Sequence, residues 1–257
     1  YGPISLLYAT EHSVNSAYVT LTYNIGVDAV MNAASRAGIP DNTAGIERNL
    51  TFVLGTASPH VIDVADAYAT FAARGVKALP FTIKEVRSSN GGIIYQAAMK
   101  NETVFEQYVA DTVNSALQRV VTNGTGFAAA KAGRPVAGKT GTTNDNMSAW
   151  FAGYSPDLAA AVMLVKEDAK GVPVTLRGTG GLSTVTGGSF PARIWTAFMK
   201  AALKKLPATD FVEPVEPLPV DTATPTPTDS QSPDDAAQPI SPRCERRSEE
   251  HTSELQS

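Results

Sequence analysis

Apolar positions recur along this chain with helical spacing in some stretches and as short continuous runs in others, and their order predicts the elements. Residues 4–25 begin with a helical pattern around Leu6, Leu7 and Ala9. They pass through His12-Ser13-Val14-Asn15-Ser16 and resume with Ala17, Tyr18, Val19, Leu21 and Ile25. Residues 27–37 read as a helix that Gly38 closes and Pro40 prevents from continuing. A short apolar run follows at 50–55. Ser58 and Pro59 then offer an N-cap and a first-turn proline to a helix over 61–74, ended by Gly75. Residues 81–86 and 93–95 flank Ser88-Ser89-Asn90-Gly91-Gly92, the composition of a hairpin turn. The best amphipathic helix spans 103–121, with Val104, Tyr108, Val109, Val113, Ala116, Leu117 and Val120 on one stripe. Runs at 149–154 and 158–165, joined by Ser155-Pro156-Asp157, predict an antiparallel hairpin, with 136–143 as the strand beside it. A glycine-rich loop over 171–188 leads to a last helix at 190–206, carrying Ile194, Trp195, Phe198 and Leu203. No internal repeat is present.

Composition bounds the rest. The 257 residues are enough for one large domain or two small ones, and 43% apolar content is ordinary for a globule. No run approaches the roughly 18 apolar residues of a membrane span. Residues 1–206 hold 18 Lys+Arg against 14 Asp+Glu, a diffuse excess too small to indicate nucleic acid as a partner. Residues 207–257 hold 3 against 11. From Pro207 to Arg246 the chain is proline, threonine and acid, which predicts a disordered, extended tail. The last eleven residues, 247–257, resemble a frame translation of a short-read sequencing adapter and are expected to be an assembly artefact. The lone cysteine, Cys244, excludes an internal disulfide and a cysteine-based metal site. The chain opens at Tyr1-Gly2-Pro3 without an initiator methionine or targeting segment, and reads as a fragment.

The candidate chemistry centres on Ala137-Gly138-Lys139-Thr140-Gly141-Thr142-Thr143. Glycines on either side of the lysine would let a ligand backbone approach the strand edge. Strand alternation puts Thr140 and Thr142 on one face, and Lys139 on the other unless the strand twists. An ammonium, hydroxyls and bare backbone suit a carboxylate or a polarised carbonyl. A rival reading is available, because Gly133–Thr140 matches the phosphate-loop pattern G-x-x-x-x-G-K-[ST]. That pattern needs a strand before it and a helix opening at the lysine, and both flanks are wrong for it. Ser13 and Asn15 form an S-x-N triplet whose plain reading is an N-cap and a first-turn residue. A second such triplet, Ser88-Ser89-Asn90, lies in the predicted hairpin turn and is discounted. His60 is expected to cap or pack at its helix start. Four N-x-[ST] sequons, at Asn49, Asn101, Asn123 and Asn146, are taken as coincidental.

Two longer strings carry a family resemblance. Gly2-Pro3-Ile4-Ser5-Leu6 leading into His12-Ser13-Val14-Asn15-Ser16-Ala17-Tyr18 is one of them. The other is Gly138-Lys139-Thr140-Gly141-Thr142-Thr143-Asn144 followed by Ala149-Trp150-Phe151-Ala152-Gly153-Tyr154. Over residues 1–206 the chain resembles the transpeptidase domain of class A, bifunctional penicillin-binding proteins, and its Pro/Thr tail is actinobacterial in style. The resemblance implies an α+β fold, an αβα sandwich with an antiparallel sheet flanked by helices, truncated at its N-terminal side. It implies a serine D,D-transpeptidase that acts on peptidoglycan stem peptides ending in D-Ala-D-Ala and binds β-lactams, without cofactor, metal or nucleic acid. The parent protein would be membrane-anchored at the extracytoplasmic face and handle a lipid-linked precursor. By resemblance, Ser13 relays a proton and Asn15 bonds the substrate amide. Lys139 supplies positive potential, and Thr140, Gly141, Thr142 and Thr143 line the substrate site, with the Thr142 N–H in the oxyanion hole. The family's S-x-x-K nucleophile and base occur nowhere in these 257 residues, so the chain alone should form no acyl-enzyme. A serine β-lactamase or D,D-carboxypeptidase, and a non-catalytic sensor module, are the alternatives.

Overall fold

The structure, a computed structural model, describes residues 2–215; the rest of the acidic tail and the adapter-like end lie outside the described residues. Helix α1 (Leu6–His12) opens on Ser5, whose hydroxyl accepts from the Tyr8 N–H at 3.1 Å. It closes on Ser13, which sits in the left-handed region at φ 55. Val14 is extended, and α2 (Asn15–Ile25) starts immediately after it. Ser13 thus ends one helix and does not cap the next, as the plain reading of the triplet had it. Helix α3 (Val27–Ala37) ends at Gly38 as its pattern predicts, with φ 141.

A 3-10 turn occupies Phe52–Leu54, and α4 (Val61–Ala72) follows. The N-cap of α4 is His60 and not Ser58: the Asp63 carboxylate accepts the His60 backbone N–H at 3.2 Å. Arg74, at φ 55, and Gly75 turn the chain out of α4 into β1 (Val76–Ala78). The hairpin β2 (Glu85–Arg87) and β3 (Ile93–Gln96) comes next, and β4 (Asn101–Thr103) returns to pair antiparallel with β1. This pairing delays α5 (Gln107–Thr122) by four residues relative to its apolar pattern, because Thr103 is committed to Val76.

The face that α5 buries also differs from the expected stripe. Ala110, Asp111, Asn114, Val120 and Val121 point inward, while Tyr108 is 55% exposed. Two of the inward residues are polar and both are satisfied. Asp111 accepts Nε and Nη2 of Arg74 at 2.9 and 2.7 Å. Asn114 accepts from the Tyr154 hydroxyl at 2.6 Å and donates to the Phe71 carbonyl at 3.2 Å. Reading apolar positions alone places such residues on the outside.

The second half builds the sheet. A 3-10 turn at Phe127–Ala132 precedes β5 (Ala137–Thr142), and a second at Asn144–Asn146 separates it from β6 (Ser148–Ser155). Strands β7 (Leu158–Glu167) and β8 (Pro173–Val174) follow, and α6 (Phe190–Ala202) ends the fold. The sheet order is β5-β6-β7-β8, antiparallel throughout, with Lys139 opposite Ala152. On one face α6 drives Trp195 edge-on into Phe151, ring centres 5.1 Å apart, over a core with Val121, Val136, Met199 and Leu203. Burying that indole alone is worth roughly 4–6 kcal/mol. On the other face Tyr154 meets Tyr68 of α4 edge-on at 6.1 Å. Helices on both faces of an antiparallel sheet are the αβα sandwich that the resemblance implied.

Lys139 lies mid-strand, with a 3-10 turn before the strand and no helix opening at the lysine, which disposes of the phosphate-loop reading. Beyond α6, residues 207–215 run without regular structure, and Phe211 packs edge-on against Tyr154 at 5.6 Å. No helix among the described residues is long and apolar enough to cross a membrane.

Candidate active site

Two distant stretches of the chain meet at one side chain. Lys139 Nζ donates to Ser13 Oγ at 2.7 Å and to its neighbour's carbonyl, Thr140 O, at 3.2 Å. The left-handed turn at Ser13 allows the encounter: it breaks the helix and lets α2 depart, leaving the serine hydroxyl at a helix end. A non-glycine residue in that region carries strain of about 1 kcal/mol or more, and such strain gathers at functional positions. Burial pulls the Lys139 ammonium down to about 8 from its ordinary 10.5. A lysine so placed holds its charge near neutral pH yet exchanges a proton more readily than one in water. Asn15 lies exposed at the first position of α2.

The hydroxyls that follow Lys139 are each engaged. Thr140 Oγ1 lies 2.6 Å from Thr125 Oγ1. Thr142 Oγ1 accepts the Gly187 N–H at 3.2 Å. Thr143 Oγ1 accepts the Ser148 N–H at 2.7 Å and donates to the Ser148 carbonyl at 3.2 Å, closing the turn into β6. Thr143, counted among the substrate-lining residues by resemblance, thus has its hydroxyl committed to the fold. The glycines likewise serve the sheet more than an incoming ligand. A Cβ on Gly138 would meet Ala152 O at 2.8 Å and the Phe151 ring at 2.9 Å, and one on Gly141 would meet Trp150 Cβ at 3.2 Å.

Asn146 carries a role that reading the sequence for chemistry missed. It is 4% exposed, at φ 58, and its amide donates to Val185 O at 2.6 Å while its Oδ1 accepts Val185 N–H at 3.0 Å. Its carbonyl accepts the Leu176 N–H at 2.8 Å. One residue thereby staples the glycine-rich loop, and through Gly187 that loop reaches Thr142. The available signal was an asparagine in a turn after a strand, and the sequon reading concealed it. An amide this buried, bonded through both its nitrogen and its oxygen, is not accessible as a glycan acceptor in the folded protein.

Behind Ser13, Glu11 is buried and paired with Arg119 of α5, and the Glu11 carbonyl accepts the Thr125 N–H at 3.1 Å. No group of three or more His, Cys, Asp or Glu side chains that could hold a metal occurs among the described residues. A separate apolar groove of about 580 Å³, lined by Ile62, Phe81, Ile83, Val86 and Tyr95, includes neither Ser13 nor Lys139.

Comparisons with known proteins point to one family. Residues 1–175 match the family model described as the penicillin binding protein transpeptidase domain. Penicillin-binding protein 1A of Mycolicibacterium smegmatis is 34% identical over 84% of this chain and 29% of its own length. Its namesake in Mycobacterium tuberculosis is 33% identical over 84% of this chain and 28% of its own length. The chain therefore spans less than a third of the curated relatives it matches. Among solved structures, PonA1 of Mycobacterium tuberculosis in complex with penicillin V superposes with a TM-score of 0.72 at 32% identity, covering 82% of this chain and 60% of that one. Penicillin-Binding Protein 1A from Haemophilus influenzae, at 23% identity and a TM-score of 0.73, covers 84% of this chain and 36% of its own, and shares the fold. With its S-x-N turn hydrogen-bonded to the K-T-G strand, this chain belongs to the transpeptidase domain family of the penicillin-binding proteins.

Proposed function

We propose that the chain is the part of a peptidoglycan D,D-transpeptidase that carries the proton relay and the carboxylate site, in a protein held at the extracytoplasmic face of a cell membrane. The observation that carries this reading is the 2.7 Å contact between Lys139 Nζ and Ser13 Oγ. In the reaction, a serine hydroxyl attacks the penultimate carbonyl of a stem peptide ending in D-Ala-D-Ala. The D-Ala amine takes a proton and leaves, and an amine from a neighbouring stem resolves the ester. Ser13 passes that proton, and Lys139 keeps the Ser13 oxygen polarised through its own hydrogen bond. The same ammonium, with Thr140 and Thr142, attracts the substrate's terminal carboxylate, and Asn15 bonds the substrate amide. The Thr142 N–H donates into the oxyanion hole.

The reading needs an S-x-x-K serine and lysine, which these 257 residues do not contain, so they must come from residues outside the chain. β-Lactams would acylate that serine. Stem peptides and their lipid-linked precursor are the natural partners, and the residues up to 206 make up the catalytic module. The test is fluorescent penicillin labelling of the full-length protein. We expect one covalent band, lost when the S-x-x-K serine becomes alanine. Labelling should fall about 100-fold or more in Lys139→Ala. A folded full-length protein that takes no label would overturn the reading in favour of a non-catalytic binding module. Rapid turnover of bound penicillin would point to a β-lactamase.

A further inference from the structure

The turn Gly124-Thr125-Gly126 lies behind the site, and none of the roles assigned above falls on it. Its central residue touches three parts of the site at once. The Thr125 N–H donates to Glu11 O at 3.1 Å, in the last turn of α1, two residues before Ser13. Its hydroxyl lies 2.6 Å from that of Thr140, one residue after Lys139. Its carbonyl lies so close to Gly188 that any Cβ there would clash with it, and Gly188 follows the Gly187 that bonds Thr142. The turn cannot drift. A Cβ on Gly124 would collide with Glu11 O, one on Gly126 would press on Val120 O and the Phe151 ring at 3.2 Å, and the Gly126 N–H donates to Val120 O at 2.9 Å. Glu11 is itself held by Arg119. Thr125 remains exposed beside the Thr140 hydroxyl.

We propose that Thr125 is a positioning residue of the carboxylate site: it fixes the α1 end against β5 and turns the Thr140 hydroxyl proton toward an incoming carboxylate. This rests on the D,D-transpeptidase reading above. Only one proton can lie between two hydroxyl oxygens 2.6 Å apart. If Thr140 donates, it shows lone pairs to the ligand and repels a carboxylate. If Thr125 donates, the Thr140 proton is free to bond the carboxylate, and the two bonds polarise each other. A carboxylate drawn in by Lys139 therefore selects the second arrangement, in which the Thr125 proton anchors the Thr140 oxygen and strengthens the bond that Thr140 gives the ligand. Valine there has the shape but no proton.

The experiment uses the full-length protein with Thr125→Val, Thr125→Ser, Thr140→Val and the double valine variant, each checked for folding by thermal melting. If Thr125→Val does not fold, Thr125→Ala takes its place. Donor turnover is followed for a D-Ala-D-Ala peptide and for the same peptide with its terminal carboxylate converted to an amide. We expect Thr125→Val to raise KM for the acid up to about tenfold, the scale of one neutral hydrogen bond, with kcat changed less than twofold. Its effect on the amide should be under twofold. Thr125→Ser should restore wild-type KM, and the double variant should be no worse than Thr140→Val alone. Equal losses on acid and amide, failure of serine to rescue, or additive losses in the double variant would overturn the proposal. If wild type labels with penicillin and Thr125→Val leaves KM for the acid unchanged, this inference alone falls. If wild type does not label, the parent reading falls and this one with it.

Discussion

Asn146 offers the sharpest test of how the site is held. Replacing it with alanine removes the bond to Val185 O and the bond from Val185 N–H, and strands both backbone groups beside a valine that is 0% exposed. Each stranded group costs about 1–3 kcal/mol. The position lies at φ 58, where asparagine is tolerated better than alanine, which adds about 1 kcal/mol. The sum is about 3–7 kcal/mol, or a fall in melting temperature on the order of 10 °C for a domain of this size. Asn146→Asp separates the two bonds, since it keeps an acceptor for the Val185 N–H but loses the donor to Val185 O and brings a charge into a buried site. It should be at least as damaging at neutral pH. Urea unfolding monitored by tryptophan fluorescence reads both variants. If Asn146→Ala lay within about 1 kcal/mol of wild type, or Asn146→Asp matched it at pH 7, the staple would not be holding the loop. In the full-length protein the same variants should slow penicillin labelling, because Gly187 would no longer be fixed against Thr142.

Two further outcomes follow from the buried charges. Lys139 is pulled down to about 8 in the folded protein, so between that pH and its ordinary 10.5 the unfolded chain binds more protons. This group's contribution to stability therefore rises with pH across that window. Lys139→Met should accordingly be more stable than wild type at pH 7, by a margin that shrinks toward pH 10; a margin constant with pH would contradict the burial of the ammonium. Arg74→Met should cost about 3–5 kcal/mol by leaving the 1%-exposed Asp111 carboxylate unpaired, and adding Asp111→Leu should recover most of the loss in urea titrations.

The extent to which the fold was legible follows the kind of residue involved. Helix α3 and the β6–β7 hairpin could be read because glycine, proline and a turn tripeptide punctuate long apolar runs. Strands β1 and β4 could not: each has three residues, and their pairing depends on Gly75 accepting a close approach from Phe105. The inward face of α5 was misread because Asp111 and Asn114 become core residues only once Arg74 and Tyr154 arrive from elsewhere. The site divides the same way. Ser13 and Lys139 stood out through their family strings, but their contact spans 126 residues and no local rule gives it. Thr125, Asn146 and Glu11 are ordinary in sequence and gain their roles only from what folds against them.

Strand β7 has a consequence for anyone handling this chain. Beyond β6, only its last two residues, Lys166 and Glu167, find a neighbour in β8; no strand among the described residues lies along Leu158 to Val165 on that side. Those eight residues are Leu, Ala, Ala, Ala, Val, Met, Leu and Val, so both faces are apolar and none carries the charge or proline with which natural edges discourage pairing. It is an interior strand by composition left at a border by geometry. A preparation of these residues by themselves should be adhesive, gathering into oligomers as concentration rises, and a lysine placed at an exposed position of Leu158–Val165 should reduce that tendency.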